Sequence, residues 1–261
     1  MNRITFAAAL CGLLLAASVQ ADDCRQQLPA WLEQAHPGHA QGTPLQDGRG
    51  TYRLDVGKSI CKVWPGRPQL TLIATPLVRE EDEGYGESDL QVLVLDSASQ
   101  AIVARLIEPN RLDWDAVSVD RLEFDTAPYR LREGELAFGI RVMRRGSSRA
   151  NPLYETTLSL YELQAQHLRP LLSELVVDSS WAEWDTRCTG DFSNSRGVLI
   201  ITKRAGNQGY RDLLLKQTRT GSRDEMLAGE CETVEESTQR VQFRIEYGEQ
   251  RYLLPIELAP N

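Results

Sequence analysis

Histidine is scarce in this chain, with three residues among 261, and aromatic residues make up only 7%. His36 and His39 lie in a Pro- and Gly-containing stretch, and His167 lies near a predicted turn. The chain has no G-x-S-x-G motif, no G-x-G-x-x-G loop after a predicted strand, and no cysteine pair with the C-x2–4-C spacing of zinc sites. We therefore expect neither a metal nor a cofactor, and the chain has few histidines that could act as a general acid or base.

Positive charge is also limited, because 29 basic residues stand against 37 acidic ones and the formal net charge is −8. Sequence-independent nucleic-acid binding depends on clustered Lys and Arg, so nucleic acid is not an expected partner. Apolar residues make up 41% and charged residues 25% of the chain. That balance is typical of a globular protein and excludes disordered, collagen-like and polytopic membrane chains.

The one long apolar run is at the N-terminus. Arg3 precedes a largely apolar segment over residues 4–17, and Val19 and Ala21 have the spacing of a signal-peptidase site. The segment is shorter than the roughly 20 residues that span a bilayer. The sequence therefore predicts a cleaved signal peptide over residues 1–21, a mature chain that begins at Asp22, and export to the periplasm or the extracellular space.

The cysteines agree with export. Cys11 would leave with the signal peptide, and an even number of cysteines in an exported chain favours disulfides. Three pairings are open to the four that stay. Pairing within each half of the chain closes two loops of similar size, and it predicts the bonds Cys24–Cys61 and Cys188–Cys231.

Hydrophobic periodicity divides the mature chain into an N-terminal arm over residues 22–50 and a β-rich domain over 51–261. In the arm, Leu28, Trp31, Leu32 and Ala35 recur at helical spacing and predict one short helix over 28–36, with Pro29 in its first turn.

From Thr51 onward the pattern changes to period two, with β-branched runs separated by turn residues. The predicted strands cover 51–55, 70–76, 90–96, 101–107, 117–124, 136–144, 156–163, 167–177, 198–203, 211–217, 241–247 and 251–255. This pattern predicts an all-β fold of antiparallel hairpins and meanders, in a small propeller-like or sandwich arrangement. The similarity between the hairpins at 90–106 and 158–172 suggests about three degenerate units, although any meander produces such echoes.

Two charged clusters are candidates for binding. The first is the run Glu80, Glu81, Asp82 and Glu83, within a stretch of six carboxylates over residues 79–89, which could attract a basic partner. The second is the set of guanidiniums Arg144, Arg145 and Arg149 beside a Ser- and Asn-containing loop, which could bind a carboxylate or a sugar acid. Each could equally be a solvated loop between strands.

Carboxylates flank a tryptophan at Asp113-Trp114-Asp115 and again at Glu183-Trp184-Asp185. Paired carboxylates around an aromatic ring occur in glycan-cleaving sites, and the same residues are also common where strands end.

Because the sequence contains few residues suited to catalysis, we expect a non-catalytic binding or interaction module of the cell envelope. Its expected partner is an envelope or extracellular protein or a polysaccharide. The alternatives are a glycan hydrolase that acts through Asp113 and Asp115, and a structural envelope component. A deep pocket with converging carboxylates would favour the enzyme, and a shallow face with exposed aromatic side chains would favour binding.

Overall fold

The computed structural model describes residues 19–40, 42–48 and 50–259. Residues 1–18 of the predicted signal peptide lie outside this part of the chain, so cleavage and export stay predictions. Within the described residues, no helix is both long enough and apolar enough to cross a membrane.

The described chain contains one α-helix, thirteen strands and two single-turn 3-10 helices, which confirms the predicted all-β class. Helix α1 covers Val19–Ala35 and the 3-10 helices cover Asn207–Gly209 and Ile256–Leu258. The strands are β1 Leu45–Asp47, β2 Gly50–Leu54, β3 Ile60–Val63, β4 Leu70–Glu81, β5 Gly86–Asp96, β6 Ile102–Glu108, β7 Val117–Arg132, β8 Glu135–Gly146, β9 Leu153–Gln164, β10 His167–Trp184, β11 Gly190–Ala205, β12 Arg211–Leu227 and β13 Glu230–Ile245.

These strands form two antiparallel sheets. The first sheet has the order β1-β2-β4-β5-β6, with β3 also paired to β4. The second is a seven-stranded meander in which β7 to β13 follow one another in chain order.

The two sheets share a hydrophobic core. Alternate residues of β4 and β5, such as Leu72 and Val92, pack with Phe138, Ile140 and Tyr161 of the second sheet. Since side chains in a strand alternate between faces, the apolar positions that gave the period-two signal line this interface. The arrangement is two packed antiparallel sheets.

A second core lies on the other face of β9 and β10, where Leu160 and Leu175 meet Tyr210 and Leu213 of β12 and Ile245 of β13. Both faces of the middle strands are therefore buried. This double burial extends to polar side chains of β9, since Thr157, Ser159 and Glu162 are almost fully buried.

Helix α1 covers the outer face of the first sheet, where Leu28, Trp31 and Leu32 pack against Ile73 and Leu93. The helix is longer than the predicted 28–36 and begins at Val19. The extension places Cys24 one turn before Leu28 on the same buried face, where it reaches β3.

Both predicted disulfides are confirmed. Cys24 bonds to Cys61 on β3, with Cα atoms 6.1 Å apart. Cys188, in the turn between β10 and β11, bonds to Cys231 at the start of β13, with Cα atoms 5.6 Å apart. Both separations lie in the usual range for a disulfide.

One predicted strand, 251–255, is wrong. Tyr252 makes a single bridge to Tyr247 and its amide donates to the carbonyl of Leu171. Pro255 has no amide hydrogen to continue a ladder, and it precedes the 3-10 helix Ile256–Leu258.

The last four strands run well past both cores. We call residues 178–184, 190–196, 218–227 and 230–240 the open sheet. In the described structure, none of the residues in its β12 and β13 segments belongs to a buried hydrophobic cluster, and every side chain of 230–240 is exposed. The open sheet is therefore a single layer that presents both of its faces to solvent.

Candidate functional site

The acidic run lies at the tip of the β4–β5 hairpin. Glu80 and Glu81 end β4, Asp82 and Glu83 follow in the turn, and all four side chains are exposed. Tyr85 donates its hydroxyl to Glu80 Oε1 at 2.6 Å, and this hydrogen bond and the charge of Glu80 raise the pKa of Tyr85. Recognition of a basic partner by this hairpin stays a prediction.

The three arginines of the second predicted cluster lie on β8 and in the loop that follows it. Arg144 and Arg145 are successive residues of β8, so their side chains point to opposite faces of the sheet. Arg145 is exposed and lies over the ring of Tyr154 at 5.4 Å. Arg149 lies in the following loop, exposed, and its carbonyl accepts a hydrogen bond from Trp184 Nε1 at 2.7 Å. Arg144 and Arg145 nevertheless both line a cleft of about 310 Å³ beside Tyr154, and recognition of an acidic ligand by these arginines stays a prediction.

Arg144 also lines a crevice of about 460 Å³, where the loop after β6 approaches the second sheet. We call it the carboxylate crevice, because four acidic side chains line it together with Trp114. Those acidic residues are Asp113, Asp115, Glu155 and Glu174.

An ion-pair network next to the crevice includes two of its lining residues, Arg144 and Glu174. Arg111 is buried, forms a short ion pair with Glu174, and donates to Ser159 Oγ at 3.0 Å. Arg144 donates to the carbonyl of Arg111 at 2.9 Å and lies 3.9 Å from Glu174 Oε1. Two guanidiniums are thus held close to one carboxylate.

Burial changes the acid–base behaviour of the network. It raises the pKa of Glu155, against the opposing charge of Arg144. Burial and the neighbouring positive charge of Arg111 lower the pKa of Arg144. The raised pKa makes Glu155 easier to protonate than an ordinary glutamate, as a general acid would be.

Asp113 and Asp115, the pair singled out in the sequence, have local hydrogen bonds instead. Asp113 Oδ1 accepts a hydrogen bond from the Ser88 amide at 2.7 Å, and Asp115 Oδ1 accepts one from the Val117 amide at 3.0 Å. These bonds fix the loop against β5 and the start of β7. The two carboxylates line the crevice while holding its wall in place.

A second cleft, of about 390 Å³, lies on the open sheet. Directly paired residues of an antiparallel sheet point to the same face, so the register defines a row across five strands. This row is Leu153, Trp181, Ser193, Gly221 and Ser237. The next row towards the end of the sheet is Glu183, Asp191, Arg223 and Glu235.

The crevice and this cleft lie side by side on one face. Glu155 pairs with Arg144 on β8 and with Ser179 on β10, and Leu153, which also lines the crevice, pairs with Trp181. We call the face that carries these residues the groove face. It crosses six strands from β8 to β13, or about 24 Å at the usual strand spacing.

The sequence did not single out Glu155, Glu174, Arg111 or Trp181. The flagged Trp184 is on the opposite face from Trp181, three residues away along β10. Trp181 and Glu183 are two residues apart in a strand, and this spacing is the signal that could have placed them together.

Comparison with known proteins gives no relative for this chain. No protein-family model, no curated protein and no solved structure matches it.

Proposed function

We propose that this protein is an exported, non-catalytic binding module of the cell envelope, and that its ligand lies along the groove face. The observation that carries the proposal is that the carboxylate crevice and the cleft on the open sheet are neighbours on the groove face, where the half-exposed Trp181 of the cleft pairs with Leu153 of the crevice. A wide shallow surface suits an extended ligand better than a small enclosed one.

The state of the carboxylates also supports binding over catalysis. Asp113 and Asp115 are engaged by backbone amides, and Glu174 by Arg111. A hydrolytic pair needs two carboxyl groups free to face the same bond. Three of the four carboxyl groups that line the crevice are therefore already held by a hydrogen bond or an ion pair.

Retention of the purified protein by an immobilised envelope fraction tests the proposal. Arginine at Ser193 and Ser237 adds two long side chains to the centre of the groove face, and we expect retention to fall at least about tenfold. The matched control is Thr220→Arg with Thr238→Arg, because these paired residues lie on the opposite face of the same sheet. Equal retention of both variants, or no retention of the unmodified protein, would contradict the proposal.

One observation favours glycan hydrolysis as a second candidate function. Glu155 is a buried carboxyl with a raised pKa in a crevice that also holds Trp114. If it were the general acid, Glu155→Gln would abolish the release of reducing ends from an envelope polysaccharide.

Under the binding proposal, no reducing ends are released and Glu155→Gln does not alter that. We also expect Asp113→Asn with Asp115→Asn to retain ligand binding, since an asparagine carbonyl can accept the same amide hydrogen bonds. Reducing-end release that any of these substitutions abolishes would establish the hydrolase instead.

A further inference from the structure

We propose that the ligand of the groove face is a neutral, hydroxyl-rich glycan chain, and that one of its sugar rings stacks on Trp181. This inference rests on the proposed function and names the chemistry of its ligand. It comes from the shape and the charge of the Trp181 cleft.

Trp181 supplies an apolar surface that folding has left uncovered. Its side chain is 47% exposed in the centre of the groove face, away from both hydrophobic cores. An indole is large, rigid and apolar on its faces, and it loses little conformational entropy on binding. A sugar ring has one face of C–H groups that can cover such a surface while its hydroxyls point outward.

From β11 to β13, the row that continues from Trp181 carries only small side chains. The next three residues of the same row are Ser193, Gly221 and Ser237, whose side chains are among the smallest. A Cβ atom at Gly221 would lie 3.0 Å from Ser237 Oγ, a hydroxyl that can rotate away, so a larger side chain at this position would stand up in the row. A flat ring can therefore lie along the row without meeting a tall side chain.

The neighbouring row provides fixed hydrogen-bonding groups. Arg223 donates to both carboxylate oxygens of Asp191, at 3.0 and 3.3 Å, and these hydrogen bonds raise the pKa of Arg223. Glu183 and Glu235 flank this pair on β10 and β13. Carboxylates and a guanidinium at the edge of an aromatic surface are suited to bind hydroxyl groups.

The charge of the row selects against acidic chains. Three carboxylates, those of Glu183, Asp191 and Glu235, stand against the single guanidinium of Arg223. A uronic acid or a phosphate-bearing polymer would bring like charges together, which disfavours binding. A neutral glycan has no such penalty.

A protein partner is less well matched to this face. Protein interfaces concentrate their binding energy in several buried apolar anchors. Trp181 is the one aromatic residue of its row, and apart from Leu153 its neighbours are small or charged. A flat polar surface with a single aromatic side chain fits a chain of rings better than it fits a second protein surface.

Titration of the full mature chain with defined oligosaccharides tests the proposal. The neutral probes are hexamers of β-1,4-linked glucose and of β-1,4-linked N-acetylglucosamine, and hexagalacturonate is the acidic comparison. Binding is measured by isothermal titration calorimetry. We expect at least one neutral hexamer to bind and the acidic one not to bind. Trp181→Ala should weaken binding at least about tenfold, the order expected for the loss of an aromatic contact.

The chain offers a matched control for this substitution. Tyr154 is 48% exposed and lies on the opposite face of the same sheet, so Tyr154→Ala removes an equally accessible ring from the wrong side. Gly221→Leu adds a larger side chain to the row of Trp181 and should also abolish binding. Thr220→Leu adds the same side chain to the opposite face and should have no effect.

Two results would overturn the inference: neither neutral hexamer binds, or Trp181→Ala binds as well as the unmodified protein. If the envelope fraction still retains the protein through the groove face in either case, the proposed function survives with a ligand of another class. If the arginine variants and the envelope assay also fail, both proposals are wrong.

Discussion

Removal of the Cys188–Cys231 disulfide is the perturbation that best examines how the open sheet is held together. The bond joins residues 43 apart in sequence, and the loop-closure model gives it about 4 kcal/mol of stabilisation. It ties the β10–β11 turn to the start of β13, in a region without a buried hydrophobic cluster. The lost stability should therefore appear as local opening of the β12 and β13 segments.

The magnitude follows from that location. If the open sheet unfolds as its own unit, about 4 kcal/mol corresponds to an opening equilibrium roughly a thousandfold more favourable. Hydrogen exchange followed by mass spectrometry should show this acceleration in Cys188→Ser with Cys231→Ser at residues 218–240. Exchange in β8 and β9, which are buried between the two cores, should change much less.

The other disulfide provides the control. Cys24–Cys61 joins residues 37 apart, so the same model assigns it nearly the same energy. Its removal should increase exchange in α1 and β3 while the open sheet stays protected. Equal acceleration throughout the molecule for both variants would show that the chain unfolds as one unit and would refute the reasoning.

Three further outcomes follow from the contacts. Leu32→Ala, at a fully buried position of α1, should lower the free energy of unfolding by about 2–5 kcal/mol in urea, whereas the exposed Gln34→Ala should not. Burial opposes ionisation of Asp125, but hydrogen bonds from the Ala127 amide, Arg141 and Tyr129 outweigh it and lower its pKa. Asp125→Asn should therefore cost about 1–3 kcal/mol at pH 7. Thermal melts should show this difference in stability shrinking as pH falls from about 4, where the carboxyl of the unfolded chain takes up a proton, towards the lower pKa of the native carboxylate. Neutralising Glu80–Glu83 should weaken binding to a cationic partner more in 20 mM salt than in 500 mM salt, and a salt-independent effect would contradict electrostatic steering.

Elements of the fold that carry an apolar face could be predicted from the sequence. Period-two alternation found β4, β5, β8 and β9, because each buries alternate side chains in the core between the sheets. Cysteine parity and similar loop lengths were enough to predict both disulfides. The open sheet was underestimated, since segments such as 218–227 and 230–240 bury neither face and leave no apolar pattern to detect.

The groove face could not be predicted in the same way. Its residues come from the loop after β6 and from six strands, and only the register brings Glu155 opposite Arg144 or Trp181 opposite Ser193. Local spacing in the sequence singled out Arg145 and Trp184. Both side chains point away from the groove face, whereas the residues just before them in the sequence point towards it. A one-residue step along a strand reverses the face, so proximity in sequence is a poor guide here.

The weak packing of the open sheet connects its stability to its proposed ligand. A chain bound along the row from Trp181 to Ser237 would contact four strands that are otherwise joined by their hydrogen-bond ladders, by Cys188–Cys231 and by side-chain contacts such as Arg223–Asp191. A ligand at 100 times its Kd stabilises the state that binds it by about 2.7 kcal/mol. It should therefore offset more than half of the roughly 4 kcal/mol lost when the disulfide is removed. Exchange at residues 218–240 of the Cys188→Ser, Cys231→Ser variant should slow by about a hundredfold when the bound hexamer is present at that concentration. Unchanged exchange, with binding confirmed by calorimetry, would place the ligand elsewhere on the molecule.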